Sequence, residues 1–258
     1  MPVYDEYKDV RESIKDKPFK EKMAYFWYYY KIHTIVGIFL LILLAVFIKD
    51  RVNNKEYAYT CTLVNAVPVN EATGFMDEFV ATTDIDTSKY IAYLDDQVQF
   101  SFEGYDQTSM AMMQKFVAMV YAGDIDNVVM EHDLFTNYAN NEAFIDLRTV
   151  LTPEEIEKYE DYFFYIDYDN LGNESPDFEA VASGNTEELV KHDEVDRKST
   201  EGMSNPVPVG IFLEDELGER IKSVGFYGED ADIVFGFLTE KHLDYSRQFL
   251  DWLTAGVN

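Results

Sequence analysis

The longest apolar run in the chain covers residues 34–48, where fifteen successive positions carry no charge. Ahead of it, Phe26-Trp-Tyr-Tyr-Tyr30 supplies five aromatic rings, which favour the interface between lipid and water. A helix that crosses a bilayer needs about 20 residues. The two stretches together therefore predict one transmembrane helix over residues 26–48, closed on its far side by Lys49 and Arg51.

A cleaved signal peptide and a buried globular helix are the two alternatives to this anchor. A signal peptide begins with a short basic segment and ends at small residues, whereas about 25 mostly polar residues precede this run and Lys49-Asp-Arg51 follows it. A helix at the surface of a globular core keeps a polar face, which fifteen uninterrupted apolar residues lack. An uncleaved anchor is the favoured interpretation.

Segments typical of strands and helices alternate beyond residue 56, which predicts an α/β fold. The clearest signals are the three- and four-residue apolar steps over 105–122 and the Thr152-Pro-Glu-Glu155 helix start. The predicted strands are 56–67, 90–94, 98–102, 126–130, 161–167, 207–213 and 232–238. The predicted helices are 71–82, 105–122, 132–139, one from 152, 215–223 and 243–254. Residues 169–205, poor in large apolar side chains, predict a long irregular excursion.

Charge divides the chain at the same place as the apolar pattern. The whole chain has a formal net charge of -28, and residues 56–258 hold 42 acidic against 11 basic side chains. Such a domain repels nucleic acid, which excludes nucleic acid as a partner. The predicted organisation is a cytoplasmic tail over 1–25, a transmembrane helix over 26–48, a linker over 49–55 and an extracellular acidic domain over 56–258. Basic residues are more numerous before the helix than after it, which favours this orientation of a single-pass protein in the cell membrane.

Motifs for catalysis and metal binding are missing from the sequence. It has no G-x-G-x-x-G, P-loop, G-x-S-x-G or H-E-x-x-H pattern, and its four histidines lack zinc-site spacing. Cys61, the single cysteine, lies in a strand pattern that predicts a buried thiol. Residues 167–172 begin like a calcium loop, but Leu171 and Phe178 stand where ligands are needed. We therefore expect no enzymatic activity, metal or cofactor.

Three segments of the domain carry a resemblance to a known family. They are Gln114-Lys-Phe-Val-Ala-Met-Val-Tyr-Ala-Gly-Asp-Ile-Asp-Asn-Val-Val-Met130, Asp133-Leu-Phe135 and Ala143-Phe-Ile-Asp-Leu147. They resemble bacterial extracellular solute-binding proteins of ABC importers, the periplasmic-binding-protein type II class. In that family a helix ends at a Gly-Asp turn, and a strand carrying an Asp then leads into a cleft between two lobes. Residues 206–211 look like the return crossing to the first lobe. Because the domain is short for the family, the resemblance implies a periplasmic-binding-protein-like extracellular domain with one reduced lobe.

The resemblance also implies a ligand site, built from Asp126, Glu131, His132 and Asp133 by matching the family's motif. Glu131 and Asp133 fit a second role as caps of the following helix. The expected function is a membrane-tethered, solute-binding-like module for a small polar solute, with the bilayer and a membrane permease as partners. The alternative is a cell-surface structural or protein-interaction domain without a small-molecule ligand.

Overall fold

The computed structural model describes residues 17–53, 55–69, 72–100, 107–170 and 195–256. The chain divides into two compact units between Lys55 and Glu56, where the sequence predicts the start of the acidic domain. The first unit holds one long helix, and the second holds an α/β domain.

Helix α1 of the first unit spans Phe19–Asn53. Its most apolar window lies within Phe19–Lys49, has a mean hydropathy of 2.5 and is not buried. At 1.5 Å per residue α1 is about 50 Å long, more than the roughly 30 Å of a hydrocarbon core. By length and composition α1 is thus a candidate membrane span. It extends past both ends of the predicted 26–48 and continues through most of the predicted linker.

A mixed six-stranded sheet forms the centre of the second unit and confirms the predicted α/β class. Its strands are β1 (Glu56–Leu63), β2 (Tyr90–Asp95), β3 (Asn127–Glu131), β4 (Phe163–Asp167), β5 (Pro206–Phe212) and β6 (Ile233–Phe237). Their order across the sheet is β2-β1-β3-β6-β5-β4. Strand β1 runs parallel to β2 and β3, while β6 is antiparallel to β3 and β5, and β4 is antiparallel to β5.

Helices cover both faces of this sheet. They are α2 (Ala72–Val80), α3 (Gln107–Ala122), α4 (His132–Asn140), α5 (Leu147–Val150), α6 (Pro153–Tyr159), α7 (Asp215–Ser223) and α8 (Leu243–Thr254). Successive side chains of a strand point to opposite faces. Val129 accordingly packs in the apolar cluster with α2 and α8, whereas Val128 and Met130 pack in the cluster with α3 and α4. The domain therefore has one apolar core on each face.

The predicted strand over 98–102 is wrong for residues 98–100, while residues 101 and 102 lie outside the described part of the chain. Residues 98–100 belong to no strand, although Val98 and Phe100 are buried. The backbone N–H of Asn65 donates to Val98 O at 2.9 Å, and the Phe100 N–H donates to Asn65 Oδ1 at 2.9 Å. The alternation of apolar residues here reflects packing beyond the end of β1, not pairing in the sheet.

A single sheet contains all six strands, and the described residues of the domain form no second sheet. The cleft implied by the solute-binding resemblance needs two lobes. The two-lobed arrangement therefore stays a prediction, as does the resemblance itself.

Phe135 fixes the distance between α4 and the sheet. Gly210 and Gly236 face each other on β5 and β6, and the ring of Phe135 lies directly over both. A Cβ on Gly210 would come within 2.5 Å of Phe135 Cζ, and one on Gly236 within 2.8 Å of Phe135 Cε2. Phe144 stacks on Phe135, with ring centroids 4.0 Å apart and planes 2° from parallel, and its Cδ1 would also lie 2.8 Å from a Cβ on Gly236. Only glycine at both strand positions allows this close approach.

We predict that Gly236→Ala lowers the free energy of unfolding by about 1–3 kcal/mol, because the added methyl group overpacks the site beneath Phe135. Urea unfolding of the full chain in detergent would measure this, with Trp252 fluorescence as the reporter in a Trp27→Phe background. Gly74→Ala is the matched control, since a Cβ there meets nothing within 4 Å. In the interior of a helix this control should stabilise by about 0.5–1 kcal/mol. Equal effects of the two substitutions would contradict the close packing.

Candidate functional site

Asp126, the first of the residues implied by the resemblance, is a buried anchor with 1% of its surface exposed. Its Oδ2 accepts the backbone N–H of Thr60 at 2.8 Å, and His242 Nδ1 lies 3.0 Å from the same oxygen. Its backbone N–H donates to Thr60 O, and its carbonyl accepts the N–H of Leu238. One residue therefore connects β1, the start of β3, the chain after β6 and the residue before α8.

Glu131, His132 and Asp133 lie at the opposite end of β3. A five-residue extended strand separates them from Asp126 by about 16 Å. Glu131 is exposed at the N-cap position of α4, but its side chain makes no capping hydrogen bond. The structure thus keeps these three neighbours together and places Asp126 apart from them.

His132 links α4 to the start of β6. Its Nδ1 lies 2.9 Å from Asp232 Oδ2, and the hydrogen bond lowers the pKa of that carboxyl below its usual range. The imidazole meets the rings of Phe164 and Phe212 edge-on, each at 5.5 Å between centroids. Lys198 lies 5.0 Å from the centre of the Phe212 ring. These contacts explain the histidine as part of the packing where β3, β5 and β6 meet.

Asp167, the first residue of the calcium-like stretch, closes a turn. It accepts the backbone N–H groups of Ser204 at 2.8 Å and Asn205 at 3.1 Å, and the side chain of Asn170. Chiefly the bond from Ser204 lowers the pKa of Asp167 to about 2. The carboxylate's acceptor capacity is thus occupied by protein donors. Across the described ranges no group of three or more His, Cys, Asp or Glu side chains could hold a metal ion.

A pocket between α3 and α4, which we call the α3–α4 pocket, is the strongest candidate site. Its volume is about 430 Å³. The lining residues are Met113, Val117, Val120, Tyr121, Asn137, Tyr138, Asn141, Glu142, Ala143 and Leu238. Small-molecule sites are concave, mostly apolar and about 300–1,000 Å³ in volume, with a few polar groups. The α3–α4 pocket matches this description in size and in composition.

Helical spacing explains the α3 wall of the pocket. Met113, Val117, Val120 and Tyr121 recur at three- and four-residue steps and so share one face of the helix. Of the described α3 side chains only that of Phe116 is fully buried, and it packs on Tyr138 with ring centroids 5.4 Å apart. Met113 and Val120 also pack partly against the core around Phe116, so this row of side chains lies between that core and the pocket.

The carboxyl end of α4 supplies the polar wall. Asn141 N–H donates to Tyr138 O at 3.1 Å, and Asn141 Nδ2 donates to Asn137 O at 2.7 Å. Glu142 follows with φ = 56°, in the left-handed region, and its N–H donates to Ala139 O. Burial raises the pKa of Tyr138, so its hydroxyl is neutral at physiological pH. Apolar α3 side chains thus face a turn with amides, a phenol and one carboxylate.

A second hollow, of about 350 Å³, lies beside α8 and is far more polar. Its Arg247 pairs with Glu155 at 3.0 Å, and its Tyr245 donates to Asp84 at 3.2 Å. Asp251, also in its wall, accepts from Lys158 at 2.9 Å. The polar side chains of this hollow are thus paired with protein partners, and they leave little apolar surface for a ligand. The α3–α4 pocket is therefore the better site.

Sequence analysis missed the pocket but contained part of its signal. The resemblance covers residues 114–130, which include most of the α3 wall, yet it directs attention to the strand that follows. The informative feature was the apolar face of α3, which is wider than the single fully buried side chain, Phe116, accounts for. The contribution of Leu238 could not be predicted from the local sequence, because Leu238 lies more than a hundred positions after α3.

Comparison with known proteins adds no name to this description. No family model, no curated protein and no solved structure matches the chain.

We predict that Asp126→Ala lowers the free energy of unfolding by about 2–4 kcal/mol, since it leaves the Thr60 N–H and the His242 ring without their buried partner. Asp124→Ala is the matched control: Asp124 is exposed two positions earlier. Its loss should change stability by no more than about 0.5 kcal/mol. Urea unfolding followed by Trp252 fluorescence measures both. A mild effect at Asp126 would show that the carboxylate does not anchor the strands.

Proposed function

We propose that this chain is a single-pass membrane protein whose acidic domain binds a small molecule outside the cytoplasm, in the α3–α4 pocket. The observation that carries the proposal is the pocket itself, about 430 Å³ with apolar side chains on one wall and polar groups on the other. A pocket of this kind holds a ligand with an apolar body and fixes its orientation by a few polar contacts.

This function keeps the class that the resemblance implies and changes the site. Helix α3 ends at Ala122 and β3 begins at Asn127, which is the helix, turn and strand order on which the resemblance rests. Asp126, at 1% exposure, has no surface to offer a ligand. The wall of α3 favours a ligand that is less polar than the sequence implied. A membrane permease remains an expected partner from the resemblance alone.

The proposed topology has the N-terminal tail in the cytoplasm and the domain outside. The orientation rests on the excess of basic residues before α1, and the aromatic residues 25–30, whose rings suit a membrane interface, support the membrane span itself. Two of them, Phe26 and Tyr30, stack along the helix at 5.4 Å between centroids.

We predict that a membrane-impermeant maleimide added to intact cells labels Glu157→Cys and does not label Lys17→Cys. Both positions are exposed, one on α6 and one before α1. The unsubstituted chain should not be labelled, because its Cys61 is fully buried and burial raises the pKa of the thiol. The reverse labelling pattern would mean that the domain faces the cytoplasm.

We predict that 4-phenylbutan-1-ol binds saturably in the α3–α4 pocket. The full chain would be placed in nanodiscs with ¹³C-methyl methionine, and NMR would follow three residues during titration. Met113 lines the pocket and should shift, Met76 is buried on the other face and should not, and Met23 in α1 reports partition into lipid. Val117→Trp fills the pocket and should weaken binding at least about tenfold, or 1.4 kcal/mol.

The matched control is Val67→Trp, at an exposed position outside the pocket lining, which should leave the affinity unchanged. Absence of a saturable Met113 shift with this alcohol and its charged analogues would remove the support for a small-molecule function. The protein-interaction alternative would then be the better account of the domain.

A further inference from the structure

We propose that the ligand of the α3–α4 pocket is an amphipathic cation, with an apolar body against α3 and an ammonium group beside Glu142. This inference rests on the proposed binding function and names the class of molecule bound. It draws on three separate features: the charge of the lining, the end of α4 and the aromatic rings.

The described part of the pocket lining carries only negative charge. Of the ten described residues around the pocket, Glu142 alone is charged, and none is basic. The surrounding domain adds a long-range field of the same sign, since residues 56–258 hold 42 acidic against 11 basic side chains. Such a field draws cations toward the pocket and repels anions.

The end of α4 strengthens the local negative potential. Carbonyl groups at the carboxyl end of a helix carry partial negative charge and favour a cation nearby. Asn141 and Glu142 follow this end directly, and both line the pocket. A glutamate beside these carbonyls is unfavourable unless a cation is present. The pocket rim thus combines a full and a partial negative charge that an ammonium group would neutralise together.

The backbone holds Glu142 at this rim. Its φ of 56° lies in the left-handed region, which glycine occupies most readily just after a helix. Two hydrogen bonds close the turn around it, from Glu142 N–H to Ala139 O at 3.0 Å and from Ala143 N–H to Tyr138 O at 3.2 Å. The chain accepts a less favourable residue at a position that presents a carboxylate to the pocket.

Two tyrosine rings complete the environment of the cation. Tyr121 is 88% exposed at the end of α3, and Tyr138 is largely buried on α4. Both line the pocket. The face of a tyrosine ring attracts ammonium groups within about 6 Å. The Tyr138 hydroxyl makes no hydrogen bond within the described part of the protein and can meet a polar group of a ligand.

The test compares three probes that share one apolar body: 4-phenylbutylammonium, 4-phenylbutan-1-ol and 4-phenylbutyrate. Their affinities would be measured at neutral pH from the Met113 methyl shift, with the full chain in nanodiscs and empty nanodiscs as reference. We expect the cation to bind tightest and the anion weakest. The cation should exceed the alcohol by about two- to fivefold, as for an ion pair that water partly screens.

Glu142→Gln should abolish the preference for the cation, so that the cation and the alcohol bind with equal affinity. Glu157→Gln is the matched control, because it removes an exposed glutamate of α6 outside the lining and should preserve the preference. A preference that survives Glu142→Gln would overturn the assigned role of this carboxylate. Loss of the preference in both variants would show that it does not depend on Glu142 specifically and would equally overturn the proposal.

The outcomes separate this inference from the function on which it rests. If the alcohol or the anion binds as tightly as the cation and Val117→Trp blocks all three, the pocket binds small molecules but the ligand class is wrong. If none of the three probes shifts Met113, the inference and the proposed function both fail.

Discussion

The close contact between Phe135 and two facing glycines determines how the helices on one face of this domain are arranged. The distance between a helix and the sheet it packs on is normally set by the side chains between them. Here Gly210 and Gly236 remove one layer of side chains, so the ring of Phe135 lies directly against the sheet backbone. Phe144 stacks on Phe135 and lies equally close to Gly236.

The α3–α4 pocket follows from this arrangement. Helix α4 lies low over the sheet, while α3 buries Phe116 fully and packs Met112, Met113, Met119 and Val120 only partly against the same core. A gap remains where the carboxyl end of α4 turns away, and Glu142 stands at its edge. The packing constraint and the proposed binding site are therefore parts of one arrangement.

Local signals in the sequence were sufficient for most elements and insufficient for the sites. Thr152 and Glu155 form the reciprocal capping box that their spacing indicates, and the last helix, Leu243–Thr254, has its predicted bounds. Asp126 is different, because its partner His242 is 116 positions away and nothing near either residue reveals the pairing. The pocket is equally non-local, since it depends on which stripe of α3 the sheet leaves uncovered. Periodicity identifies an apolar face but not how much of it will be buried.

Asp167 has a practical consequence for engineering. One carboxylate holds residues on both sides of the 171–194 segment, through Asn170 before it and Ser204 and Asn205 after it. The pKa of Asp167 is lowered to about 2 in the folded protein, from near 4 in the unfolded chain. The stabilisation from its hydrogen bonds is therefore fully present above about pH 4 and is lost as the pH falls toward 2. Lengthening the chain between two points that are already joined adds little entropy cost, about 0.6 kcal/mol per doubling. The hydrogen bonds from Asn170, Ser204 and Asn205 to Asp167 should therefore tolerate an affinity tag inserted in the chain between them.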